Sequence, residues 1–281
     1  MMSIEKMKGA AVAREHQPIR SDLGWSTTDR ITVRGLDLAN EIIGHFNLGD
    51  MAFLEFTGRK PTPAESKLFN AVTVTLVEHG ITPSSIAARM TIAGAPEALQ
   101  AAVAAGLCGL GSVFVGSMEH AAVMLEQALP YGTDHSSADL VQLAAEIVDR
   151  YRAEKRIIPG IGHPIHKPVD PRVLRLFAIA AETGFNGRYV DLMKCIHARA
   201  EAASGRMMPI NATGAIGALA CELGFPPRSV RGLGVLGRAI GLVGHIMEEW
   251  EQPMAVEIWR RVDEEVSEAA RKKRSAWDRK R

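Results

Sequence analysis

Three observations predict an all-α fold. From Met51 onward apolar residues recur at a spacing near 3.6, ITVRG (31–35) is the one short β-like patch, and strand and helix patterns never alternate as a doubly wound sheet requires. The 281 residues are 47% hydrophobic, enough for a packed core in one large or two smaller domains. Lys and Arg number 33 against 32 Asp and Glu, so a net charge of +1 offers no field for nucleic acid or an anionic membrane. With 5% aromatic residues a base-stacking surface is not expected either. Cys108, Cys195 and Cys221 stand far apart with no CxxC pair, which suits neither a disulfide framework nor a cysteine-rich zinc site.

The elements follow in order. Residues 1–29 read as a polar arm whose start is broken by charges every few residues, so no signal peptide is expected. No stretch approaches the roughly 18 uncharged apolar residues of a membrane span, and the expectation is a soluble, cytoplasmic protein. LDLANEIIGHF (36–46) carries a helical pattern, and the helix from Met51 stops at Gly58 before a turn at Pro61 and Pro63. SKLFNAVTVTLVEHG (66–80) makes a second helix ending at Gly80. The segment 84–130 is rich in Ala and Leu with two glycine interruptions, and 137–155 has a Ser start, helical periodicity and a basic end.

IIPGIGHPIHKPVDP (157–171) holds four prolines in fifteen residues, so no helix runs through it. Asp170 then reads as an N-cap, Pro171 as the first helical residue and Gly184 as the stop. A second break, SGRMMPINATGAIG (204–217), separates two further helices. The last long pattern runs from near Ser229 to about Glu251, and Pro253 ends it. Its glycines 234, 237, 241 and 244 share a face where another helix backbone approaches closely. The tail from Arg260 is amphipathic, then basic, and reads as a solvated end.

Few residues carry chemistry. GLCGLGS (106–112) lacks the preceding strand and the following Lys-Ser/Thr pair of a phosphate loop, and reads as a helix–helix turn. His163 and His166 are three apart, Pro164 and Pro168 bar a helix, and no third ligand lies nearby, so no metal site is expected. His163 in a Gly-Pro loop is instead a candidate for proton transfer, because imidazole titrates near neutrality. His79 closes a helix and serves either its terminal carbonyls or a site. Arg172 in a first helical turn and Arg238 in an apolar helix each need an anion, either a substrate carboxylate or an internal partner.

GIGHPIHKPVDPR (160–172) resembles the glycine-histidine loop G-x-G-H-x-x-x-x-x-x-D-P-R of the citrate synthase superfamily. VEHGITPSSIAAR (77–89) is similar to its substrate-histidine segment, PINATGAIGALACELGFP (209–226) to its N-V-D-G segment, and LGRAIGLVGHIMEEW (236–250) to its R-x-x-G-x-x-A/G-H-x-x-E helix. ITVRGLDL is similar to the family's I-x-Y-R-G-x-D-I, so the resemblance spans about residues 30–260.

This resemblance implies an all-α homodimer with a large helical domain (30–155 and 229–281), a small helical domain (156–228) and the active-site cleft between them. It implies carbon–carbon bond chemistry between an acyl-CoA and a small 2-oxo acid such as oxaloacetate, with the CoA thioester as substrate and no permanently bound cofactor or metal. By the same resemblance His163 exchanges the proton of the substrate hydroxyl or carbonyl oxygen, and His79, Arg172 and Arg238 hold the oxo acid. Gly160, Ile161, Gly162 and Pro164 would touch the CoA moiety.

Three departures select within the family, and the length is nearer to citryl-CoA lyases than to citrate synthases. Val115 stands where synthases have the histidine of L-H-G-G-A, which resembles the citrate-cleaving members. Thr213 in N-A-T-G replaces the aspartate of N-V-D-G, and a hydroxyl is not ionised near neutrality. Gln252 replaces the arginine of the Arg-Pro pair, so a substrate with fewer carboxylates than citrate is compatible. The expected reaction is cleavage of a 3-hydroxyacyl-CoA such as citryl-CoA to acetyl-CoA and a 2-oxo acid. His163 would take the hydroxyl proton, Asn211 would steady the enolate oxygen, and Thr213 or water would deliver the last proton. A synthase running toward condensation and a non-catalytic acyl-CoA-binding relative stand as alternatives.

Overall fold

The computed structural model describes residues 19–113, 115–163 and 165–278. The first eighteen residues of the expected polar arm, and Pro164 of the expected CoA loop, lie outside the described residues. Contacts divide the chain into two units, Met1–Lys60 and Pro61–Arg281.

In the first unit three short strands form an antiparallel meander, β1 (Gly24–Ser26), β2 (Ile31–Val33) and β3 (Leu36–Asp37), with Trp25 opposite Thr32 and Val33 opposite Leu36. The β-like patch is thus one strand of three. Arg34 and Gly35 both have positive φ, 48° and 82°, and this left-handed turn folds Leu36 back onto β2. The helical pattern expected over 36–46 therefore yields β3 and one π-helical turn, Leu38–Ile42, capped by the Asp37 carboxylate. Helix α1 (Leu48–Thr57) stops at Gly58, φ 75°, as expected.

The second unit is helical. Helix α2 (Pro63–Val77) starts with a Thr62–Glu65 capping box and ends three residues short of the expected Gly80. There the Glu78 carboxylate accepts from the backbone N–H groups of His79 and Gly80, at 2.8 and 2.5 Å, and replaces the next helical turn. The Ala-rich stretch forms α3 (Pro83–Gly94), α4 (Leu99–Cys108) and α5 (Gly116–Ala128), with GLCGLGS running into the turn between α4 and α5. Helix α6 (Leu140–Ala153) is capped by Asp139 rather than by a serine. Helix α7 (Pro171–Thr183) has the expected Asp170 cap and Gly184 stop.

Helices α8 (Arg188–Ser204) and α9 (Ala212–Glu222) flank the second break. Asn211 caps α9, so half of the segment expected to be irregular is helix. At the following Leu-Gly-Phe turn, Gly224 has φ 76° and Phe225 stacks on Phe69 with ring centres 5.6 Å apart. Helices α10 (Pro227–Glu251) and α11 (Ala255–Asp278) complete the described elements, and α11 carries Arg271, Lys272, Lys273 and Arg274 of the basic run exposed.

Helix α10 packs on α2, α3, α4 and α5, and α9 packs on α5, α7 and α8. A Cβ at Gly237 would lie 2.9 Å from Leu76 Cβ, and one at Gly241 would overlap the Val77 carbonyl, so the glycine face brings α10 onto α2. Gly244 differs from expectation, with nothing within 4 Å of its added Cβ. Leu242 and Ile246 pack fully buried against Ala88 and Ile92. Each such side chain contributes about 1.5–3 kcal/mol. By length and composition a stretch of α10 is apolar enough to cross a membrane once two charged residues are allowed, and 44% of that stretch is buried inside the protein, where α10 packs on α2, α3, α4 and α5.

Candidate active site

A cavity of about 480 Å³ lies among the loop 157–163, the C-terminal end of α2, the N-terminal ends of α3, α5, α7 and α9, and the middle of α10. His79, Gly160, Ile161, Gly162, His163, Arg172, Asn211, Thr213 and Arg238 all line it. Every expected site residue except Pro164 is thereby brought to one place.

Backbone bonds hold the glycine loop on α9. Gly162 N donates to Pro209 O at 2.7 Å, Asn211 N to Gly160 O at 3.0 Å, and Ile161 pairs with Ile210 as an isolated bridge. The Asn211 side chain adds Nδ2 to Gly162 O at 2.6 Å. Gly160, with φ 84°, lies so close to α9 that a Cβ on Gly214 would come 2.6 Å from its oxygen. The Asn211 Oδ1 accepts from Thr213 N, Gly214 N and the Thr213 hydroxyl, the last at 2.6 Å. Asn211 therefore spends most of its polar capacity joining loop to helix, and the Thr213 proton points at Asn211.

His163 Nδ1 accepts from Ile165 N at 3.1 Å and His166 N at 2.9 Å. Its neutral ring thus carries the proton on Nε2 and donates from there. Burial first, then the neighbouring His166, holds its pKa below the ordinary 6.5. The His166 ring lies 4.4 Å from that of His163, and His79 meets both edge-on at 6.3 and 6.1 Å. Burial, then Arg172 and His166, likewise lower His79.

The fold supplies the third histidine that the sequence reading found lacking, with one ring nitrogen from each within 4.8 Å of the others. This donor set does not fit a cation as it stands. A metal on His163 Nε2 would force the ring proton to Nδ1, into two backbone N–H donors.

The two arginines differ. Arg172 forms an internal pair with fully buried Asp170, Nε to Oδ1 at 3.0 Å and Nη2 to Oδ2 at 2.7 Å. Burial alone would raise the Asp170 carboxyl, but the side-chain and backbone bonds from Arg172 outweigh it and hold the pKa below the ordinary 3.8. Arg238 Nη1 is buried and makes no hydrogen bond among the described residues, with Glu78 Oε2 4.0 Å away. Its buried Nη1 has capacity left for an external anion, as does the Nη1 of Arg172, which Asp170 does not engage. The same Glu78 oxygen is 3.0 Å from His245 Nε2, and His245 joins the buried Arg89–Glu249 pair.

The wall is largely apolar. Val113, Val115, Ile157 and Ile158 line it, and Val115 packs where a Cβ on Gly234 would overlap it. Gln252 caps the C-terminal end of α10 and is not among the described residues lining the cavity. Of the apolar wall residues sequence reasoning singled out Val115 alone, and it missed Glu78, which only its adjacency to His79 could have flagged.

The profile described as "Citrate synthase, C-terminal domain" matches residues 40–261. The chain belongs to the citrate synthase family. This citrate synthase family member is similar to the solved citryl-CoA lyase of Hydrogenobacter thermophilus, with a TM-score of 0.74 and 31% identity over 83% of this chain and 87% of that one. It shares its fold with ATP citrate lyase from Methanothrix soehngenii, solved with citrate and coenzyme A, at a TM-score of 0.69 and 22% identity over 89% of this chain and 42% of that one. A probable ATP-citrate synthase of Dictyostelium discoideum is 23% identical over 256 residues, 85% of this chain and 40% of the relative. The chain spans less than half the length of the curated relatives it matches.

Proposed function

We propose that this protein is a citryl-CoA-lyase-like enzyme that cleaves a 3-hydroxyacyl-CoA to acetyl-CoA and a 2-oxo acid. The observation that carries the reading is the convergence of His79, His163, Arg172, Asn211, Thr213 and Arg238 with the loop 160–162 on one cavity. The likeness to the Hydrogenobacter thermophilus citryl-CoA lyase over most of both chains supports it. Arg238 would bind a carboxylate of the acid portion, with Arg172 already half neutralised by Asp170. The loop backbone would seat the CoA arm beside the apolar wall.

The Nδ1 bonds change the part expected of His163. Its Nε2–H would donate to the substrate oxygen through the reaction, holding it as hydroxyl becomes carbonyl. Val115, standing where synthases carry a histidine, favours the lyase reading over the synthase one. We place homodimer contacts on the outward stripe of α10, where Ile240, Val243, Met247 and Trp250 are exposed.

Citryl-CoA and smaller 3-hydroxyacyl-CoA thioesters, followed by acetyl-CoA release, test the proposal. A second reading, an acyl-CoA-binding relative, is favoured by one observation: the Thr213 hydroxyl is turned onto Asn211 where a catalytic carboxylate would serve. It predicts thermal stabilisation by CoA esters without turnover, and cleavage appearing only in Thr213→Asp.

A further inference from the structure

Cleavage moves one proton overall, from the substrate hydroxyl to the carbon of the departing enolate, and the described residues lining this cavity restrict which group carries it. No Asp, Glu, Cys, Lys or Tyr is among them. Hydroxyl and amide side chains do not ionise near neutrality, and guanidinium stays protonated. Two histidines remain, His79 and His163. His163 is committed as a donor, because two backbone N–H groups occupy its Nδ1. The His79 ring makes no hydrogen bond among the described residues, its backbone N–H alone being tied, to Glu78.

We infer that His79 is a one-base shuttle that takes the hydroxyl proton and returns it to the enolate carbon. The inference rests on the lyase reading and replaces Thr213 or water as the source of the last proton. Neutral His79 accepts the proton as the O–H pair becomes the carbonyl π bond, and the carbon–carbon bond pair passes into the thioester as an enolate. His163 Nε2–H donates to the same oxygen throughout. Imidazolium His79 then protonates the terminal carbon, the enolate pair forms the C–H bond, and the thioester carbonyl returns. The base ends neutral, and nothing is oxidised or reduced. Arg172, His166 and Arg238 face His79 and favour its neutral form, Asp170 opposes them, His163 meets its ring edge-on, and Glu78 binds its backbone.

The test compares wild type with His79→Ala and His79→Gln, using whichever thioester the wild type cleaves. Partial shielding by the cavity lowers the His79 pKa, but the residue as a whole is exposed, so the variants should melt with the wild type. The shuttle predicts a kcat loss of about 10²–10⁴-fold with KM changed by less than about threefold, and partial restoration of His79→Ala by added imidazole. It also predicts that the acid limb of the kcat profile disappears with the histidine. Retained kcat with raised KM, or a loss that imidazole does not restore, overturns the shuttle while leaving the lyase reading intact. A wild-type chain that cleaves none of the thioesters overturns both.

Discussion

Asn211 is bound twice to the glycine loop, by its backbone N–H to Gly160 O at 3.0 Å and by its side chain to Gly162 O at 2.6 Å. The residue that caps α9 therefore also sets the distance between Thr213 and the His163 loop. Replacing Asn211 with Ala removes an N-cap and a loop tether together. The expected cost is about 1–3 kcal/mol, read as a lower urea midpoint. A midpoint matching wild type would show that the loop holds itself.

Gly214 must remain without a side chain, since a Cβ would press on the Gly160 oxygen at 2.6 Å and neither partner is a flexible side-chain tip. Gly214→Ala should destabilise by about 1–3 kcal/mol in the same unfolding measurement, as overpacked cores do. An unchanged midpoint would mean that loop and helix separate freely.

Local chemistry was what the sequence displayed best. Asp170, Pro171 and Gly184 bound α7 because cap, first-turn proline and left-handed stop each act within a few residues. The same locality made 36–46 misleading, since its helical spacing yields to the Arg34–Gly35 turn and a strand pairing. The family motifs pointed to nine lining residues, but not to the meeting of His79 with His163 and His166, which depends on how α2 packs against distant segments. The direction of His163 was likewise invisible, because it is fixed by the hydrogen bonds of a folded loop.

Acid should unfold the protein in two stages. His79 and His163 have folded pKa values below 6.5, so the unfolded chain binds more protons and stability falls as pH drops through 6.5 toward the folded values. Asp170 is lowered from 3.8, so its contribution persists above that value and is lost as pH falls through its folded pKa. Tm measured across acid pH should show both declines. Asp170→Asn should shrink the lower one, to which the surface carboxylates Asp37, Asp134, Glu182 and Glu257 add, and, by leaving Arg172 unpaired, cost about 3 kcal/mol at neutral pH. An unaltered profile in that variant would assign acid sensitivity elsewhere.

On the proposed dimer face, Met247→Lys puts a charge into the exposed stripe of α10 without touching the cavity. Sedimentation velocity should show a dimer for the wild type and a monomer-weighted distribution for the variant. Equal sedimentation of the two would move the contact to another surface.

The measurement that bears most directly on the account is acetyl-CoA release from citryl-CoA and smaller 3-hydroxyacyl-CoA thioesters by the purified full chain, wild type against His163→Ala. The account predicts cleavage of at least one thioester, slowed about 10²–10⁴-fold when the His163 donor is removed. Thermal stabilisation by CoA esters with no acetyl-CoA released, or turnover undiminished in His163→Ala, would contradict it.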